Sequence, residues 1–144
     1  MSRLVAAKTR TSTLTSLITG SQFYQVNVTS VVVNWIPLAS AVGSRLEAYS
    51  DAGYTMLAGS SETLSGVTPS TLPVTGLSPF TLYYFKVGGI NHNGVVNYTT
   101  IGSTQTIAGA APTAPTISNV YQTSMTVPWG DVADNTGYTV EAST

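Results

Sequence analysis

Apolar and polar side chains alternate one by one through much of this chain. In TSVVVNW, residues 29–35, Val31, Val33 and Trp35 fall on one side and Val32 and Asn34 on the other. In YYFKVGG, residues 83–89, Tyr83, Phe85 and Val87 alternate with Tyr84, Lys86 and Gly88. A period of two sends successive side chains to opposite faces of a pleated strand. Val, Thr and Tyr suit such a half-buried surface. No stretch carries an apolar stripe at helical spacing. Gly and Pro punctuate at short intervals, at Pro37, Gly43, Gly53, Gly59, Gly66, Pro69, Pro73, Gly76, Pro79 and Gly94, and are read as turns. Many short strands with close turns predict an all-β antiparallel sandwich or barrel.

The pattern also returns. TSMTVPW, residues 123–129, repeats TSVVVNW, so that Trp129 follows Trp35 by 94 positions. At the same offset Gly43 matches Gly137, Glu47 matches Glu141 and Ala48 matches Ala142. Two modules in tandem are expected, the second cut short. The complete one is placed at 21–107 and the partial one, strands A to C, at 112–144. The boundary is the small-residue, proline-bearing AGAAPTAP, residues 108–115, a short semi-stiff linker. Residues 1–20 are set apart. Ser12-Thr13-Leu14-Thr15 is like Ser103-Thr104-Gln105-Thr106, which suggests the last strand of a preceding module.

These motifs resemble the fibronectin type III family. The resemblance rests on Thr-Ser-x-x-Val-x-Trp, the strand ending Leu46-Glu47-Ala48-Tyr49, the run GLSPFTLYYFKV at 76–87 and INHNGVVNY at 90–98. It implies an immunoglobulin-like antiparallel β-sandwich, one complete module plus a partial second. It places Tyr83 at a tyrosine corner. Trp35 is expected between the sheets against Leu77, Tyr83 and Phe85, with Val87 and Trp129 as further core positions. The Tyr83 hydroxyl then needs a backbone acceptor, because a buried unpaired phenol is penalised. Tyr138 stands where the first copy has Ser44, so packing must differ there.

Composition narrows the function. Only 8% of residues are charged, against 42% hydrophobic, and the net charge is -1. Ser and Thr, 17 and 23 residues, must solvate the surface in place of ions. Five Lys and Arg spread along the chain make no nucleic-acid footprint. No apolar run approaches a membrane span, and residues 1–20 lack the apolar centre of a signal peptide. Cysteine is absent, so neither disulfides nor thiolate chemistry is available. The Thr-rich, ion-poor surface is of the kind found on extracellular or cell-surface β-proteins.

Catalytic chemistry finds no support. One histidine and no cysteine do not make a zinc site, and no Gly-x-Ser-x-Gly elbow occurs. GSSETLSG, residues 59–66, lacks the lysine and helix of a phosphate loop. No cofactor is expected. His92 lies in Asn91-His92-Asn93-Gly94, a hairpin tip in which Asn93-Gly94 supplies positive φ, or else a binding loop. Asp131, Asp134 and Asn135 are ordinary turn residues that also offer weak calcium ligands. Asn27-Val28-Thr29 and Asn97-Tyr98-Thr99 are glycosylation sequons that Thr-rich sequence produces by chance. Tyr49, Tyr54, Tyr84 and Tyr98 are read as exposed aromatics, either paired across strands or a sugar-stacking patch.

The expected function is a non-catalytic scaffold module of an extracellular or surface repeat protein or filament. The alternative is an accessory module binding a carbohydrate or protein. The partial module exposes Met125, Val127, Tyr138 and Val140, which need a partner. That partner is a neighbouring module of a longer array, or another copy of the chain. In the second case residues 11–18, with Leu14, Leu17 and Ile18, are the natural donor strand of a head-to-tail homopolymer.

Overall fold

The computed structural model describes residues 13–39, 41–66, 70–132 and 137–143. Its seven strands are β1 (Gln22–Val26), β2 (Ser30–Asn34), β3 (Gly43–Tyr49), β4 (Leu57–Thr63), β5 (Thr71–Thr75), β6 (Leu82–Ile90) and β7 (Val96–Gln105). They form two antiparallel sheets, β1-β2-β5 and β4-β3-β6-β7. No helix occurs among the described residues.

The alternation read from the sequence sets which face is buried. Val31 and Val33 of β2 are fully buried, as are Phe85 and Val87 of β6 and Leu46 and Ala48 of β3. Trp35, Leu77 and Tyr83 join the same cluster between the sheets. Burying these side chains is the main favourable term in the fold. Three residues read as turn punctuation fall inside strands instead: Gly43 opens β3, Gly59 lies in β4 and Pro73 in β5. A Cβ on Gly59 would stand 2.8 Å from Val74 Cγ1, so this glycine allows β4 and β5 to approach at the sandwich edge. Pro73 lies in β5, an edge strand, where a missing N–H costs no ladder bond.

Residues 13–19, set outside the complete module by the sequence reading, pack against it. Ile18 is 3% exposed and belongs to the main core. The Thr15 hydroxyl donates to the Gly89 carbonyl (3.1 Å), Asn97 Nδ2 donates to Thr15 O (2.7 Å) and Asn91 Nδ2 to Thr13 O (3.1 Å). One apolar side chain and a set of polar tethers thus join this segment to its own sandwich, while Leu14 and Leu17 stay exposed. Residues 1–12 lie outside the described residues, including Thr11 and Ser12 of the expected donor strand.

The second repeat keeps the register of the first. Ile36 N donates to Thr19 O, and Gly130 N donates to Thr113 O. Asn27 N donates to Ser30 O, and Tyr121 N to Ser124 O. The pair Val26↔Val31 in β1–β2 is answered by the bridge Val120↔Met125. Every one of these pairs is related by the offset of 94 positions. The equivalence of Thr19 with Thr113 makes 13–19 the counterpart of the segment that leads into the second repeat.

Burial does not repeat with the register. Trp129, expected in a core, is half-buried, and Val140 and Met125 are exposed. The physical reason is that no second sheet covers this face among the described residues.

Candidate functional site

The outer face of the four-stranded sheet carries the densest polar chemistry of the molecule. Register decides what meets there: Glu47 on β3 stands opposite Lys86 on β6, and Tyr49 opposite Tyr84. Gly88 of β6 stands opposite Arg45 on one side and Tyr98 of β7 on the other. Glu47 is only 8% exposed. Its carboxylate accepts from the Tyr49 hydroxyl at 2.5 Å and the Tyr98 hydroxyl at 2.6 Å, and Lys86 Nζ lies 3.4 Å away. The Lys86 ammonium sits 4.5 Å from the centroid of each of these two rings, a doubled cation–π contact. Beside it Arg45 pairs with Glu62, Nε donating to Oε2 at 2.7 Å.

Burial works against the Glu47 charge, but the two phenol hydrogen bonds and the Lys86 ammonium outweigh it and hold the carboxyl below its usual range. Burial likewise opposes the Lys86 charge and is outweighed by Tyr49 and Glu47, so the ammonium is held above its usual range. The Tyr98 phenol is pushed well up, by burial first and then by the carboxylate it donates to. The cluster is a closed, charge-compensated unit at neutral pH.

One edge of the cluster is a loop built by Asp51. Its carboxylate accepts from the backbone N–H groups of Gly53 (3.1 Å), Thr55 (3.0 Å) and Met56 (2.7 Å) and from the Thr55 hydroxyl (3.0 Å). The Met56 bond comes first among the causes that keep this carboxyl below its ordinary range. The loop holds Tyr54 at φ 54°, a left-handed conformation rare for a bulky residue. Its ring meets Tyr49 edge-on at 5.5 Å and Tyr84 at 6.4 Å. Tyr54, Tyr84 and Tyr98 are half-buried, whereas Tyr49, read as exposed, is 7% exposed. Its hydroxyl bond to Glu47 and its place on a central strand draw it in.

The sequence singled out Glu47 only as a strand position shared with Glu141. Its partners were beyond reach because Tyr98 lies 51 residues away. Alternation alone sets Lys86 on the face opposite Phe85 and Val87, and the register that brings it to Glu47 was the missing datum.

In the loop of residues 91–95, His92, Asn93 and Gly94 are exposed, but Asn91 is 4% exposed. Asn91 Oδ1 accepts from Asn93 N and Val95 N, both at 2.9 Å, while its amide donates to Thr13. Asn91 is therefore the anchor of the loop, not part of its free surface. Of the Asn93-Gly94 pair, Gly94 alone adopts positive φ, at 76°. Both sequon amides are engaged, Asn27 Nδ2 with Ser30 Oγ (2.9 Å) and Asn97 Nδ2 with Thr15. Asp131 Oδ1 accepts from the Tyr138 hydroxyl (2.7 Å), and Asp134 and Asn135 lie outside the described residues. Among the described residues no three His, Cys, Asp or Glu gather as metal ligands, and no helix is long and apolar enough to cross a membrane.

The second repeat presents an open apolar groove. Pro112, Pro115, Val127, Trp129, Tyr138 and Val140 are among its lining residues. The Trp129 and Tyr138 rings lie 5.2 Å apart. Tyr138, at the position of the buried Ser44 in the first copy, packs beside the indole.

The architecture defines an immunoglobulin-like β-sandwich. Its fold is that of the fibronectin type III domain. A segment of two such domains from chicken tenascin is 21% identical, with a TM-score of 0.58 over 81% of this chain and 63% of that one. The FN5 domain of Drosophila Lar is 24% identical, with a TM-score of 0.51 over 67% of this chain and 100% of that domain. The likeness is one of fold. No family model matches the chain, and no curated protein matches it.

Proposed function

We propose that this chain is a non-catalytic structural module of an extracellular or cell-surface repeat protein, a spacer whose work is to hold distance and resist extension. The observation that carries this reading is the repetition of one hydrogen-bond register 94 positions apart, from Ile36–Thr19 to Gly130–Thr113. Head-to-tail strand donation by the N-terminal segment is disfavoured, since Ile18 and Thr15 are already spent on their own module.

Stretching the chain between two handles tests the proposal. Residues 13–107 should yield in a single cooperative step that releases on the order of 300 Å of chain. Smooth extension without a resisting step would refute the spacer reading.

A second reading is favoured by Tyr54, whose ring meets both Tyr49 and Tyr84, and by its Asp51-built loop; with Tyr49 buried, the half-buried Tyr54 and Tyr84 form the aromatic edge suited to stacking on a sugar or a protein side chain. A glycan array probed with the chain and with Tyr54→Ala tests it. Binding lost in that variant would support it, and no binding to any glycan would remove the carbohydrate form of it.

A further inference from the structure

Charge is divided unevenly between the two sheets. In residues 13–107 the charged side chains are Arg45, Glu47, Asp51, Glu62 and Lys86. Each lies on the four-stranded sheet or in the loop that follows β3. The three-stranded sheet has none, since residues 20–36 and 70–77 hold no Asp, Glu, Lys or Arg. Its inward row is Val31, Val33, Leu72 and Val74, so strand pairing fixes what faces outward. Gln22, Asn34 and Thr71 stand side by side there, and Gln25, Val32 and Pro73 form the next row. Tyr24 is the extra residue of the bulge between Phe23 and Gln25 and is 68% exposed. A bulge re-aims a side chain, and this one adds an aromatic ring to a face of amides and hydroxyls.

We propose that the outer face of the three-stranded sheet is a binding site for a neutral glycan, a chain of uncharged hexopyranose rings. Its amides are ordered before any ligand arrives. Gln25 Nε2 donates to Asn27 Oδ1 (3.0 Å) and Asn27 Nδ2 to Ser30 Oγ (2.9 Å). Each amide nitrogen keeps a second hydrogen to donate, and Gln25 Oε1 is an acceptor. Such paired donors and acceptors match the hydroxyls of a sugar. Asn34 Oδ1 is buried without a hydrogen-bond partner, a costly state for an acceptor. Its neighbours Gln22 and Thr71 are exposed. When the Gln22 side chain turns aside, a ligand hydroxyl donates to this oxygen. Tyr24, with Val32 and Pro73 in the adjoining row, seats the C–H face of a sugar ring.

The missing charge selects against ionic partners, because an acidic or basic surface finds nothing here to pair with. Size selects against a second copy of the chain. Three strands of five residues span roughly 17 by 10 Å, far below the roughly 800 Å² per partner of a stable protein interface. The site is on the opposite sheet from the Tyr54 edge and goes beyond the spacer reading.

The test is isothermal titration of the full chain with cellohexaose, mannohexaose and maltohexaose, joined to amide NMR. The expected result is binding to at least one of them, with shifts confined to residues 22–34 and 71–75. Raising the salt concentration should leave the affinity unchanged, since neither side is charged. Tyr24→Ala and Gln25→Ala should each weaken binding by about tenfold, whereas Tyr54→Ala should not. Both altered side chains are exposed, and an unchanged amide spectrum elsewhere checks that the fold is kept.

No binding to any of the three sugars would overturn the proposal. Shifts centred on Tyr54 and Tyr84 would also overturn it and support the aromatic edge of the other sheet. Affinity that falls with salt would do the same by pointing to a charged partner, and so would self-association abolished by Tyr24→Ala, since a second copy would then be the occupant. Failure of the stretching experiment bears on the spacer reading alone.

Discussion

The Tyr83 hydroxyl lies 3.0 Å from the Ser78 backbone nitrogen and accepts its N–H bond. The sequence predicted that this phenol would need a backbone acceptor; the structure uses it as an acceptor itself, tying the turn before β6 to the strand. Tyr83 is 5% exposed, so its oxygen meets little water.

Tyr83→Phe removes that oxygen and leaves the Ser78 N–H without its partner. The expected cost is about 1–3 kcal/mol of folding free energy. It should appear as a lower urea midpoint at unchanged m-value, since the surface exposed on unfolding does not alter.

The two tryptophans should differ sharply although their sequence contexts match. Trp35→Ala leaves a cavity between the sheets and should cost about 3–5 kcal/mol. Trp129→Ala changes a half-exposed residue outside the closed module and should move the main transition by less than about 0.5 kcal/mol. Thermal unfolding of both variants checks this, and comparable losses would contradict the placement of Trp129.

The Glu47 cluster predicts a stability plateau limited at both ends. The carboxyl has a folded pKa below its reference of 4.5, so its contribution is present above that value and is lost as pH falls through the folded pKa. The Tyr98 phenol has a folded pKa above its reference of 10.0, so its contribution is full below pH 10 and declines as pH rises from there. Glu47→Gln should flatten the acid limb and Tyr98→Phe the alkaline limb in a series of denaturation midpoints against pH.

Phe80 is held at φ 47° and is 67% exposed. A left-handed conformation costs an L-residue about 1–2 kcal/mol, and an exposed ring recovers little of that by packing. Phe80→Gly should therefore stabilise the domain by about 0.5–1 kcal/mol after the extra entropy of glycine in the unfolded chain. Equilibrium urea unfolding decides the sign.

Much of the fold was legible because a strand has a period of two. Val31, Val33 and Trp35 could be assigned inward from seven letters, and so could Tyr83, Phe85 and Val87. The recurrence of the Thr-Ser-x-x-Val-x-Trp motif 94 positions later was legible for the same reason. Less was legible where the deciding partner was distant. Ile18 reads as a contact residue of a donor strand until its own core is seen to hold it, and Asn91 reads as a loop tip until Thr13 lies beside it. Gly59 reads as a turn until Val74 is seen packed against it.

The amino-acid sequence by itself determined the class of the fold, the identity of its core row and the recurrence of one motif at 123–129. Local alternation and repetition encode these, and no distant contact is needed to read them. Only the tertiary structure decided that Glu47, Lys86, Tyr49 and Tyr98 form one cluster, that residues 13–19 belong to the first sandwich, and that Trp35 is enclosed while Trp129 stands open. Those outcomes depend on which strands pair and in what register, a choice made by burial across the whole sandwich and not by any single segment.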